Sequence, residues 1–376
     1  MDQKLTAVSL AQRLIAFKTA NPPGNERTAA EYLAGLLESG GFAVALAGPD
    51  PERPNLIARL DGDHPLCFTG HLDTVPAGDS AWSVDPFAGK IKSGRLYGRG
   101  ASDMKAGVAA MVSAGLRIAD LPRGGRGFLL VLTADEEPGC LGALQAAPSL
   151  KTHGRAGALV VGEPSGNYPL LGHKGVLRVE IETSGVAAHA STPQQGDNAI
   201  FRAARLVTGL QEFDFRAPDH PALGGMTLNV GTIRGGVNIN TVPDRTVLGV
   251  DIRTVMTRSH ADVLSDLRVF IGEKSEMTVL TDLDGFWTDP AQDWIQQVFD
   301  IAEPFLGERP SPRAAPYMTD ASVLGPALGD PPAIVLGPGD IHQAHAVDEY
   351  CELKKIGEAA EIYFEIARQW CQGHGA

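Results

Sequence analysis

A chain of 376 residues is long enough for two or three domains with full cores. A hydrophobic share of 43% and a charged share of 20% exclude a disordered chain. The net charge of 32 − 45 = −13 argues against a nucleic-acid groove or an anionic membrane surface as partner.

Leu5–Lys18 carries helical apolar spacing (Leu5, Val8, Leu10, Leu14, Ile15) broken by Gln12 and Arg13, without the apolar core of a signal peptide. After the turn Asn21-Pro22-Pro23-Gly24, Thr28–Ser39 reads as a second helix stopped by Gly40-Gly41. Strands are expected at Phe42–Leu46, Asn55–Leu60 and the run ending in Gly70-His71, and a hairpin at Lys90–Tyr97. The glycine-rich stretch Gly98–Lys105 leads into a helix over Ala106–Ala119; it fits neither phosphate-loop pattern. Gly127–Ala134 and Ala158–Val161 are continuous apolar runs of the buried-strand type, followed at once by Asp135-Glu136-Glu137 and by Gly162-Glu163-Pro164. Strands alternating with helices in this way predict a layered α/β domain.

From Gly175 the pattern changes to a strand (Val176–Thr183), a helix (Asn198–Phe213), two strands (Met226–Ile233, Val242–Arg253), a helix (Ser259–Ile271) and a strand (Met277–Leu283). That order, βαββαβ, is the ferredoxin-like arrangement. It predicts a domain of residues 175–284 inserted between the two parts, 1–174 and 285–376, of the α/β domain. Beyond it come helices at Ala291–Phe305 and Asp320–Ala327, a strand at Ala333–Leu336, the turn Gly337-Pro338-Gly339 and a helix at Lys354–Cys371. No run of about 18 apolar residues could span a membrane. The four cysteines form no Cys-x-x-Cys pair, which favours a reducing cytoplasm.

His71, Asp103, Glu136, Glu137, Glu163 and His345 all follow short apolar runs or lie in Gly-rich turns. Any one of them alone also suits a solvated turn. Together they fall where an open α/β sheet gathers its ligands, beyond the carboxyl ends of strands. Two histidines and three carboxylates suffice to hold two divalent ions, and one of the adjacent Glu136 and Glu137 can then face a water as general base.

Gly70-His71-Leu72-Asp73-Thr74-Val75-Pro76, Gly98–Lys105, Asp135-Glu136-Glu137, Gly162-Glu163-Pro164 and Gln343-Ala344-His345 stand in the order of the M20 metallopeptidase family, and the chain is similar to it over nearly its whole length. The resemblance implies two zinc ions per chain, with Co²⁺ or Mn²⁺ as substitutes. His71, Asp103 and Glu163 would hold one; Asp103, Glu137 and His345 would hold the other, with Asp103 bridging. Glu136 would be the general base and Asp73 would orient His71. His342 is a rival to His345, and the family motif selects the second of the two. The family also has a cis peptide after the bridging aspartate, here Asp103–Met104. Ala188-His189-Ala190-Ser191-Thr192-Pro193 resembles the family's lid motif, whose histidine steadies the oxyanion, in dimeric members from the partner subunit. Asn240, Arg253, Lys174 and Thr319 match substrate-binding positions.

The family reading implies hydrolysis of an N-acyl amino acid amide, with the pattern around Gly337–Glu349 close to that of acetylornithine deacetylases. Met318–Ser322 departs from it, and the desuccinylase, carboxypeptidase and dipeptidase branches stay open. A non-catalytic metal- or solute-binding module is the reading from another class. Expected partners are a small-molecule substrate and a second copy through the inserted domain.

Overall fold

The computed structural model describes residues 5–122 and 125–373, with the backbone alone at His153. In chain order the first elements are α1 (Ala7–Ala16), α2 (Arg27–Ser39), β1 (Ala43–Ala47), β2 (Asn55–Leu60), β3 (Asp63–His71), β4 (Lys90–Lys92), β5 (Arg95–Tyr97), α3 (Lys105–Ala119), β6 (Arg126–Thr133), α4 (Leu141–Leu150) and β7 (Ala158–Val161). Next come β8 (Gly172–His173), β9 (Gly175–Ser184), α5 (Ala199–Gln211), β10 (Thr227–Gly235), β11 (Arg245–Thr254), α6 (His260–Ile271), β12 (Ser275–Leu283) and β13 (Phe286–Trp287). The chain continues with α7 (Asp293–Leu306), α8 (Ala321–Ala327), β14 (Ala333–Val335), β15 (Tyr350–Glu352) and α9 (Leu353–Gln372).

The chain divides into two compact units. One comprises the residues up to Gly172, Trp287–Ala315 and the residues from Thr319 on; the other comprises His173–Phe286 with Pro316–Met318. The first unit is built on a six-stranded sheet of order β1-β2-β6-β3-β7-β14. β6, β3, β7 and β14 run parallel, while β2 and β1 are antiparallel additions. The parallel strands are apolar at nearly every position because both faces are covered. Phe128, Leu130 and Leu132 of β6 join one core with α1, α3 and α9, and the alternate residues Leu129 and Val131 are buried too. Phe68 sits at the centre of that core, 5.0 Å from Phe128 and 5.3 Å from Tyr363 between ring centroids.

The second unit is a four-stranded antiparallel sheet of order β10-β11-β9-β12 with α5 and α6 packed on it, which is the ferredoxin-like order. β9, β11 and β12 alternate, as a sheet covered on one face should, while the edge strand β10 is exposed over its last residues. Leu248, Val250 and Ile252 of β11 point into the core with Leu177, Val179 and Ile181 of β9. Asn198 and Ser259 cap α5 and α6 through their side-chain oxygens.

Two local expectations differ from the structure. The strand expected from Val242 begins only at Arg245: Pro243 has no N–H to give, and the Val242 N–H donates to Ala188 O at 2.8 Å instead. α4 has no sequence forecast, because it starts after Cys140 in a left-handed conformation (φ 59°) and contains Gly142 and Pro148. Gly142 is needed there, since a Cβ would fall 1.8 Å from Ala134 O.

Candidate metal centre

Parallel strands bring their carboxyl ends to one edge of the sheet. His71, the last residue of β3, is in register with Thr133 at the end of β6, and Thr69 is in register with Val161 at the end of β7. Asp135–Glu137 and Glu163, just beyond those ends, therefore arrive beside His71. Asp103 comes from the loop before α3, where the Asp103–Met104 peptide is cis, and His345 from the turns after β14 with φ 63°.

The side chains converge on Asp103. His71 Nε2 is 3.1 Å from Asp103 Oδ1 and 3.5 Å from Glu163 Oε1. His345 Nε2 is 3.4 Å from Asp103 Oδ2 and 3.2 Å from Glu137 Oε2. One aspartate thus turns one oxygen to each imidazole. The polar atoms of His71, Asp103 and Glu163, and those of Asp103, Glu137 and His345, form two groups, each with its atoms within 4.8 Å of one another. His342 belongs to no such group among the described residues.

Surrounding groups fix these side chains. His71 Nδ1 lies 2.9 Å from Asp73 O, so its N–H is donated there and Nε2 is left to face the carboxylates. Asp73 orients the ring through its backbone; its carboxylate, 3.6 Å from Nδ1, accepts from Asn21 Nδ2 and from the N–H groups of Glu136 and Glu137. Glu137 accepts the Val75 N–H at 3.1 Å. The Asp103 loop closes around Glu349, whose buried carboxylate accepts the N–H groups of Gly100, Ser102 and Asp103 at 3.0, 2.7 and 3.1 Å. Arg99 completes this clasp. It donates to Glu349 at 2.7 Å and to the carbonyls of His345 and Ala346, so the Asp103 and His345 segments are tied to one another.

Electrostatics and donor chemistry both fit cations. Burial works against the charge on Asp103, yet hydrogen bonds with His345 and His71 hold its carboxyl below the ordinary range. Glu163 is pushed well above its ordinary value by burial and by the Asp103 charge. Hydrogen bonds with Asp103 and Glu137 push His345 up to about 10. Carboxylates crowded this closely are under-compensated by two imidazoles, and two overlapping N/O sets without sulfur suit two borderline or hard divalent ions. Glu136, beside these groups, is raised well above its ordinary value by burial.

The remaining expected residues stand as follows. Thr319, in the first unit, is buried at the start of α8 and accepts the Ala321 N–H at 3.2 Å. In the second unit, a bridge between His189 and Thr241, with Ala190 N donating to Asn240 O at 3.0 Å, sets His189 beside Asn240. Ser191 N–H and Oγ lie 3.1 and 2.7 Å from His189 Nδ1, which must accept the backbone N–H; the neutral ring therefore carries its proton on Nε2. Arg253 is paired with Asp251 at 2.7 Å, as is Arg178 at 3.0 Å, and Lys174 Nζ donates to Gly225 O. Sequence reasoning missed Asn21, Arg99 and Glu349. Glu349 falls four residues after His345, but no spacing rule ties a carboxylate there to amides near residue 100.

A family model for "Peptidase family M20/M25/M40" matches residues 67–369. The chain belongs to that family. It is 30% identical to an acetylornithine deacetylase of Pasteurella multocida, over 93% of this chain and 92% of that protein. It is 31% identical to one of Photorhabdus laumondii, over 90% and 89%. Among solved structures, an M20 family metallo-carboxypeptidase of Sulfolobus solfataricus superposes with TM-score 0.81 at 19% identity, covering 98% of this chain and 99% of that one. A dinuclear metal-binding M20 peptidase of Bacillus subtilis gives 0.72 at 16%, covering 96% of each. As an M20 chain it is a hydrolase, and the α/β fold with M20 neighbours is the one expected. Among the described residues, no helix of this M20 chain is long and apolar enough to cross a membrane.

Proposed function

We propose that this chain hydrolyses the amide bond of an N-acyl amino acid, as a deacetylase of acetylornithine type, with two divalent ions and Glu136 as general base. His71, Asp103 and Glu163 would hold one ion, and Asp103, Glu137 and His345 the other, with Zn²⁺ the first choice and Co²⁺ or Mn²⁺ substitutes. The observation that carries this reading is the split use of Asp103, one oxygen toward each imidazole, with Glu136 alongside. When bound, such a pair of cations acidifies water and polarises the scissile carbonyl.

The chain's own groups do the rest. Glu136 takes a proton from the attacking water and returns it to the leaving amine; a carboxyl held above its ordinary pKa suits that second step. His189, with its proton on Nε2, donates to the oxyanion that forms as the water attacks. Arg253, Asn240, Lys174 and Thr319 bind the non-reacting part of the substrate, Arg253 by offering its guanidinium to a carboxylate. We place the enzyme in the cytoplasm, in keeping with four free, buried cysteines. We also propose that it pairs with a second copy through the ferredoxin-like unit, where Phe201 on α5 and Ile233 on the edge strand β10 are exposed.

The deciding experiment supplies zinc or cobalt and compares N-acetyl, N-succinyl and N-formyl amino acids with dipeptides. N-acetyl amino acids should turn over fastest. Preference for dipeptides would move the enzyme to the peptidase branch, and a metal-loaded protein inert on the whole panel would overturn the hydrolytic reading.

A further inference from the structure

Glu136 also belongs to a further cluster, whose other two members the proposed reaction does not use. Glu136, Cys140 and Asp320 bring one carboxylate oxygen, one sulfur and another carboxylate oxygen within 4.8 Å of one another. Cys140 Sγ is 3.5 Å from Glu136 Oε1. The contact is set by the turn after β6, in which Gly139 N–H and Cys140 N–H both donate to Glu136 O at 2.8 Å. Asp320 is 2% exposed. Thr133 Oγ1 donates to its Oδ2 at 2.6 Å, while buried Oδ1 has no partner better than the weakly donating thiol of Cys140. A buried carboxylate oxygen with only a thiol beside it is poorly satisfied, and a cation that also takes the sulfur is one way to satisfy it.

We propose that Glu136, Cys140 and Asp320 form a third, inhibitory site for a thiophilic divalent cation such as Zn²⁺ or Cd²⁺. Ligand bonds of ~2.0–2.3 Å require donor atoms roughly 3.3–3.8 Å apart in a tetrahedral site, so a modest contraction of this cluster suffices. The thiol selects for soft or borderline ions over Mg²⁺, Ca²⁺ and Mn²⁺. As the sulfur–metal bond forms, the Cys140 proton leaves to solvent. Glu136 is only partly buried, which gives the ion a way in. Repulsion from ions held by the neighbouring ligands weakens the site, so it fills only when metal is in excess. Once filled, it occupies the carboxylate that would take the proton from water. That inhibitory consequence rests on the base role proposed for Glu136; the binding does not.

The test is a Cd²⁺ titration of the zinc-loaded enzyme, following the sulfur-to-cadmium charge-transfer band in the ultraviolet together with residual amide hydrolysis. None of the proposed dinuclear ligands contains sulfur, so the band reports a cysteine, and comparison with Cys140→Ala separates this cluster from Cys67, Cys351 and Cys371. One band per chain should saturate in step with loss of activity. Cys140→Ala should remove one thiolate's worth of the band and raise the half-inhibitory Cd²⁺ concentration about tenfold or more, since the thiolate is the selective ligand. Asp320→Asn should shift both curves to higher Cd²⁺ without removing the band, which guards against a folding defect in a single variant. No band in folded wild-type protein, or a band of undiminished size in Cys140→Ala, would overturn the site. Inhibition unchanged in Cys140→Ala would overturn its inhibitory role. A saturating Cys140-dependent band in a chain inert on every amide would uphold the binding and count against the hydrolytic reading.

Discussion

The two units hold their candidate functional side chains in opposite ways. In the first, each group near Asp103 is buttressed: Asp73 by Asn21 and two backbone amides, the Asp103 loop by three amides on Glu349, and Arg99 by contacts reaching both segments. In the second, His189 and Asn240 sit on exposed loops joined by a single bridge, Arg253 is paired with Asp251, and Lys174 donates to a backbone carbonyl. Crowded like charges require an over-determined scaffold, because two imidazoles only partly offset the repulsion among the carboxylates. Groups that meet a substrate need only hold the right proton and the right reach. The first arrangement is rigid by hydrogen-bond count, the second adaptable.

The sharpest way to probe this contrast is Glu136→Gln. It removes the base and leaves every proposed ligand, so turnover should fall about 10³-fold with metal content unchanged, combining general-base and water-activation effects. Single-turnover kinetics with metal analysis will read both, and near wild-type turnover would remove Glu136 from the role. His189→Ala should cost about 10²-fold in kcat, the order seen for one oxyanion donor, again with full metal content. If its defect appeared in metal occupancy instead, the division of labour between the units would be wrong. Glu349→Gln, which touches no proposed ligand side chain, should nonetheless weaken metal binding about 10–100-fold, measured by competition with a chromogenic chelator. Unchanged affinity would mean that the clasp is structural only. The smallest effect belongs to Ser191→Ala: the backbone N–H still fixes the His189 tautomer, so kcat should fall about fivefold at most, the worth of one neutral hydrogen bond.

Much of this was legible in the sequence, for a physical reason. Buried parallel strands must be apolar runs, so the residues after Gly70, Ala134 and Val161 announce themselves as strand ends, and the alternation in β9 and β11 marks a sheet covered on one face. Local signals failed where tertiary contact decides. α4 has weak helix credentials and is held because Gly142 lets it pack against the end of β6. β15 is three residues that pair with β5 across a long stretch of chain. Glu349 and Asn21 act on backbone amides and on another carboxylate, contacts that leave no periodic trace. Asp73 illustrates the same limit: its place near His71 could be read, but its preference for backbone amides over the imidazole could not.

The clasp between Arg99 and Glu349 also has a consequence for biosynthesis. The partners are 250 residues apart, and the segment that carries Glu349 also carries His345. The residues of the ferredoxin-like unit are all synthesised by Met318, before that segment is made. Until then the loop of Asp103 lacks its anchoring carboxylate, and Asp103 and Glu137 lack the imidazole that faces them. A chain truncated before residue 345 therefore lacks both the carboxylate that anchors the Asp103 loop and one of the two imidazoles that Asp103 faces.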